Sequence, residues 1–264
     1  MQIINSENTS LICQFNIRDN GISIVDIMDA AENIFQKFGY SIKRFYYSKN
    51  RKAYSPSYNK FKKSGINDAD LIRGMSFQSD FNREDFEPNT RLDIEVNMRY
   101  AHSKNIVKIS VVINDNSLLN DICSTYKDII ISLSEKNILF LSGYSFLISN
   151  YYGAVSFSGG ILRKFNMPCA LLNLANWYGD SDLINSTIGL MNCFSDLTEE
   201  QDECLIDIFG KENVFKINNI TAFANSFAEN MKIADYIVSD NYNEVCKTLE
   251  QKLPFKRLTY LNFL

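Results

Sequence analysis

Strict alternation of apolar and polar side chains over residues 91–100 constrains the fold of this chain more than any other stretch. One side of the segment carries Leu92, Ile94, Val96, Met98 and Tyr100, and the other carries Arg91, Asp93, Glu95, Asn97 and Arg99. Because successive side chains of a β-strand point to opposite faces, the pattern predicts a strand with one buried face and one solvated face. The apolar segment 105–113 follows after a short connection, which predicts an antiparallel hairpin.

Periodic segments on both sides of this hairpin indicate an α+β fold. Residues 10–18 alternate like a half-buried strand, residues 24–38 have the apolar spacing of an amphipathic helix, and residues 41–47 predict another strand. After the hairpin, residues 116–136 predict a helix and residues 138–148 a strand. The order β-α-β and then β-β-α-β predicts a mixed, largely antiparallel sheet with helices packed on one face.

The last third of the chain favours helices. We expect helices over residues 170–178, 182–191, 198–209, 220–231 and 241–253, and short strands over residues 213–217 and 257–263. Thr198 and Gln201 have the spacing of a capping box, and Gly210 is placed to end that helix. The chain is therefore expected to have an α+β sheet half over residues 1–165 and a helix-rich, acidic half over residues 166–264, either as two domains or within one compact domain.

Charge is segregated along the chain behind a formal net charge of −4. Residues 36–66 contain nine Lys or Arg and no Asp or Glu, whereas residues 165–210 contain eight Asp or Glu and no Lys or Arg. Exposed charge of this kind usually forms a solvated face, but it also steers charged macromolecules. Each block is therefore a candidate interaction surface.

The acidic block predicts a surface that binds a basic protein. Carboxylates around an aromatic side chain speed association by Coulomb attraction, while the buried ring supplies affinity. The candidate contacts are the single tryptophan and six acids, namely Trp177, Asp180, Asp182, Glu199, Glu200, Asp202 and Glu203.

The basic block predicts either a solvated surface insertion over residues 48–66 or a nucleic-acid patch. A short helix over residues 67–77 is expected to follow it. Lysine and arginine neutralise phosphates, and aromatic rings stack on unpaired bases, so an alternative function is single-stranded nucleic-acid binding. Its candidate residues are Lys43, Arg44, Arg51, Lys52, Tyr54 and Tyr58.

Catalytic and cofactor motifs are missing from the sequence. It has neither a P-loop nor a three-glycine dinucleotide motif, its six cysteines are scattered, and His102 is its only histidine. We therefore expect a protein that is not an enzyme and holds no cofactor or metal. A less favoured alternative is a metal-dependent hydrolase in which Asp93 and Glu95 share a divalent cation with Asp80 or Glu84.

Nothing in the sequence suggests a secretory signal or a membrane span. The first residues lack a basic start followed by an apolar run, and no apolar stretch approaches the roughly 18 residues that a spanning helix needs. A cytoplasmic protein with reduced thiols and no membrane partner is expected.

Three segments resemble the immunity proteins that neutralise bacterial polymorphic toxins, including toxins delivered by type VI secretion. They are the strand LDIEVNMRY, the tryptophan-containing segment LLNLANWYGDSDLI and the acidic helix LTEEQDECLIDIF. The resemblance implies a non-enzymatic inhibitor in bacterial competition that binds one cognate toxin and covers its active site. Since the resemblance rests on no defining motif, it assigns no individual residue.

Overall fold

A computed structural model describes residues 9–18, 22–50, 52–63, 72–79, 91–98, 106–136, 138–149, 184–186, 188–226, 240–253 and 255–257. The strands are β1 Thr9–Arg18, β2 Arg44–Lys49, β3 Lys52–Tyr54, β4 Ile72–Gln78, β5 Arg91–Asn97, β6 Ile106–Asn114, β7 Phe140–Ser149, β8 Ile184–Ser186, β9 Met191–Ser195, β10 Val214–Ile217, β11 Ile220–Ala224 and β12 Phe255–Arg257. The α-helices are α1 Ile24–Lys37, α2 Tyr58–Lys63, α3 Asn116–Leu119, α4 Ile122–Ser134, α5 Glu199–Phe209 and α6 Asp240–Lys252. No helix within these residues combines the length and the apolarity needed to cross a membrane.

Ten strands form one antiparallel sheet in the order β10-β11-β9-β7-β1-β6-β5-β4-β2-β3. The hairpin predicted from the alternating segment is confirmed, because β5 pairs antiparallel with β6 in a register that places Leu92 opposite Ile113. A separate parallel pair joins β8 and β12. The described fold is therefore α+β and built on a large antiparallel sheet, as the sequence predicts.

Helices α1 and α4 share one face of the sheet and enclose the first hydrophobic core. Helix α1 carries the chain from β1 to β2 across three intervening strands, and α4 carries it from β6 to β7 across β1. The core buries one side of β1, including Phe15, against Ile34 of α1 and Tyr126 of α4. Lys37 and Asp128 join the two helices by an ion pair of 3.4 Å.

The two helices predicted between residues 10 and 148 share one face as expected, whereas α5 and α6 of the C-terminal part pack on the opposite face. Adjacent residues of β9 show this arrangement, because Cys193 belongs to the first core and Phe194 belongs to a second core with Leu205 of α5 and Leu249 of α6. Strands β1 and β9 point in the same direction, but the connection through α1 leads toward the β3 edge and the connection through α5 leads toward the β10 edge. Crossover connections between parallel strands are right-handed, so two connections that lead toward opposite edges must pass over opposite faces of the sheet.

Three segments predicted to be helical contain strands. Residues 67–77 were expected to be helical but contain β4, and residues 220–231 begin with β11, which pairs with both β9 and β10. The expected helix 182–191 also contains β8. Short apolar runs fit either periodicity, and pairing with neighbouring strands decides between them. The described residues after 183 hold five strands and two α-helices, so a helix-rich C-terminal part is not seen among them.

Candidate functional site

The exposed side of α5 carries four carboxylates, Glu199, Glu200, Glu203 and Asp207, which we call the acidic surface. The other side of the helix is buried in the second core through Leu205 and Phe209. No basic residue occurs within α5. Along its own length the helix therefore contributes only negative charge to this end of the sheet.

The start of α5 accounts for part of this negative charge. Thr198 and Gln201 form the predicted capping box, with the Gln201 amide N–H donating to Thr198 Oγ1 at 3.3 Å and the Thr198 amide N–H donating to Gln201 Oε1 at 2.9 Å. Glu199 and Glu200 lie in the first turn, where the helix dipole favours negative charge. Glu203 and Asp207 lie beyond that turn, so helix formation does not explain them.

Asp202 differs from its neighbours because its carboxylate is used inside the protein. The residue is 6% exposed, the Thr221 hydroxyl donates to Asp202 Oδ1 at 2.6 Å, and Lys216 forms an ion pair with Asp202 Oδ2. We therefore leave Asp202 out of the acidic surface. Asp207 takes its place, and its position one helical turn after Glu203 is the sequence signal that identifies it.

Three other candidate contacts, Trp177, Asp180 and Asp182, lie outside the described residues. Their roles stay predictions.

Residues 43–63 form the other end of the sheet, and we call their described part the basic end. Strands β2 and β3 form this edge of the sheet and helix α2 follows them. Lys43 and Lys52 are exposed and Arg44 is half-buried, while Arg51 lies outside the described residues.

The aromatic side chains of the basic end pack against each other. Tyr58 is 9% exposed and lies edge-on to Phe45, with ring centroids 5.7 Å apart. Tyr54 stacks on Tyr47 at 5.0 Å, and Tyr47 contacts Phe61 at 4.8 Å. Burial removes Tyr58 from any base-stacking role, and Tyr54 already has a stacking partner. The interleaved aromatics therefore have a structural purpose.

The polar side of β5 is less solvated than predicted, because Asp93 is buried and Arg91, Glu95 and Asn97 are half-buried. Asp93 is 2% exposed and forms an ion pair with Arg91 Nε at 2.6 Å. Burial raises the pKa of Asp93 to about 6, although the Arg91 charge opposes the shift. On the next strand, burial lowers the pKa of Lys108 to about 7. Alternation alone cannot reveal this, since it does not tell which faces of a sheet are covered.

Further polar side chains on this sheet face bond to one another. The Asn16 amide donates to Ser142 Oγ at 3.0 Å, and the Tyr144 hydroxyl donates to Gln14. Among the described residues, no three His, Cys, Asp or Glu side chains come together as a metal site requires. Asp80, Glu84 and His102 lie outside that part of the chain, so the hydrolase alternative stays untested.

The chain matches no protein-family model and no curated protein. One solved structure with a similar fold is the T6SS protein PA0821 of Pseudomonas aeruginosa, with a TM-score of 0.52 and 10% sequence identity. The alignment covers 91% of this chain and 73% of that chain. At this identity the likeness concerns the fold alone, and this chain thus shares the fold of a T6SS (type VI secretion system) protein.

Proposed function

We propose that this protein is a cytoplasmic, non-enzymatic immunity protein related to type VI secretion, which binds a cognate toxin and covers its active site. The observation that carries the proposal is the acidic surface of α5, whose distal carboxylates have no role in starting the helix. The fold shared with a T6SS protein supports the same context without identifying a partner.

The acidic surface suits a partner with a basic active site. A negatively charged surface speeds the association of a positively charged partner. It also repels proteins whose surfaces are negative, which disfavours their binding. Helix α5 is held by its capping box and its packing in the second core, so the carboxylates are presented on a rigid element. Toxins that act on nucleic acids or nucleotides have such basic sites, because they must attract phosphates.

Charge reversal at Glu203 and Asp207 tests the proposal. In the double variant Glu203→Lys, Asp207→Lys, we expect the association rate constant with the toxin to fall roughly tenfold or more at low salt, because attraction becomes repulsion. Helix α5 should persist, since neither residue lies in its first turn. Tagged protein is first co-expressed with the toxin gene that neighbours the gene of this protein, and the partner is recovered by pull-down. The association rate constant is then measured by biolayer interferometry.

Matched single variants separate surface charge from general effects. Glu203→Lys on α5 is compared with Glu135→Lys, an exposed C-cap residue of α4 on the opposite face. The Glu135 variant should keep the wild-type rate and still protect cells from the toxin. An unchanged rate for the α5 variants would rule out this surface, and failure to recover any stoichiometric protein partner would rule out the function.

A further inference from the structure

Four lysines give the basic end an exposed positive surface that the proposed function does not use. In its described residues this end has seven Lys or Arg and no Asp or Glu. Lys62 forms ion pairs with Asp29 and Glu32 of α1, whereas the side chains that project outward are those of Lys43, Lys52, Lys60 and Lys63. The positive charge therefore exceeds what the neighbouring helix neutralises.

The acidic surface does not cancel this charge, because the two lie at opposite ends of the sheet. Strands β2 and β3 close one edge, and α5 packs on β10 and β11 at the other. With about 4.8 Å between neighbouring strands, ten strands separate the edges by roughly 40 Å. Charges are screened over about 8 Å at physiological salt. The basic end consequently acts as a local positive patch despite the negative net charge.

The packing beneath the lysines limits which partner fits. Phe45, Tyr58 and Phe77 are buried. Among the described large apolar side chains of the basic end, only Tyr54 is classed as exposed, with a relative exposure of 39%. A membrane surface would call for an apolar face to insert, and a protein partner would call for an apolar anchor. A phosphate polymer needs charge alone.

From this geometry we infer that the basic end binds the phosphate backbone of nucleic acids through charge, without stacking on bases. The sequence suggested selectivity for single strands because aromatics alternate with cations. Since those aromatics pack against each other, single and double strands should both bind, and base sequence should not matter.

Salt dependence gives the inference a quantitative form. If four lysines contact four phosphates, the logarithm of the binding constant should fall with the logarithm of salt with a slope of about −3.6 for duplex and about −2.8 for single strands. Between 50 and 200 mM salt, the duplex affinity should therefore drop roughly 150-fold and the single-strand affinity roughly 50-fold.

The test is fluorescence anisotropy with labelled 20-nucleotide single-stranded and duplex DNA, using the full chain. The variant Lys52→Gln, Lys60→Gln, Lys63→Gln should reduce the duplex salt slope by about 0.9 for each lysine. A matched control, Lys211→Gln, Lys247→Gln, Lys252→Gln, removes the same charge from exposed positions in the acidic half and should change nothing. Thermal unfolding of both triple variants verifies their folding.

Three results would overturn the inference. One is the absence of binding to either DNA at 25 mM salt. Another is equal weakening in the two triple variants, because the position of the charge would then be irrelevant. The last is binding to vesicles containing phosphatidylserine but to neither DNA. Tyr54→Ala adds a further discriminator, since selective loss of single-strand binding would show base stacking in place of charge alone. None of these results depends on the toxin.

Discussion

Asp202 shows that neighbouring acids in one helix have different tasks. Its spacing of three residues from Leu205 and seven from Phe209 places it on the buried side of α5, where it accepts a hydrogen bond from Thr221. Glu203, the next residue, is exposed. Helical periodicity, applied to the acids as well as to the apolar residues, separates the structural carboxylate from the surface ones.

Removing the Asp202 carboxylate should destabilise the protein. In Asp202→Ala the Thr221 hydroxyl, 2% exposed, loses its partner inside the protein, and we expect a loss of about 1–3 kcal/mol in the free energy of unfolding. The control Glu203→Ala removes the exposed carboxylate of the next residue and should change the free energy of unfolding by less than about 1 kcal/mol. Urea unfolding measures both, and equal costs would contradict the assignment.

Lys108 should make stability depend on pH. Burial lowers its pKa from 10.5 to about 7 in the folded protein. Between these values the unfolded chain binds a proton at Lys108 that the folded chain does not bind, so stability rises with pH in that window. In Lys108→Met this contribution is absent.

The difference in the free energy of unfolding between Lys108→Met and wild type should therefore change between pH 7 and pH 9. We expect the stability of the variant relative to wild type to decrease as pH rises, by at most about 1.4 kcal/mol per pH unit. Urea unfolding at several pH values measures it. The exposed control Lys60→Met should show a constant difference, and a constant difference for Lys108→Met would refute the burial effect.

At the scale of elements, the packing of β7 between its neighbouring strands requires a residue without a Cβ atom at position 143, which is Gly143. This residue pairs with Phe15 of β1 on one side and Cys193 of β9 on the other. A Cβ atom there would lie 2.5 Å from Phe15 Cδ1 and 2.8 Å from Cys193 Sγ. Strand β7 therefore fits between its neighbours only with glycine at this position.

Gly143→Ala should be destabilising by about 1–3 kcal/mol, because the added methyl group overpacks a buried site. Gly39→Asn is a suitable comparison, since nothing lies within 4 Å of a Cβ atom there and Asn tolerates its φ of +76°. Thermal unfolding compares the two variants. A Gly143→Ala protein as stable as wild type would mean that Phe15 and Cys193 can move aside.

At the scale of the whole molecule, the sheet separates two charged surfaces. The sequence shows that both charged segments exist but not how far apart they lie in space. The acidic surface lies at the β10 edge and the basic end at the β3 edge, and screening makes them electrostatically independent. A toxin could occupy α5 while a nucleic acid occupies the lysines. The two proposals are therefore tested by different variants, and either can fail without affecting the other.

The sequence by itself determined the elements that carry strong local signals, and the tertiary structure decided the remaining elements and what each face of the sheet meets. Alternation located the β5–β6 hairpin, and capping residues located the start and end of α5, because both signals are written in a few consecutive residues. The identity of β11 as a strand, the burial of Asp93 and the packed role of Tyr58 depend on distant residues. Pairing, covering and packing across the sheet are long-range interactions, which no local pattern encodes.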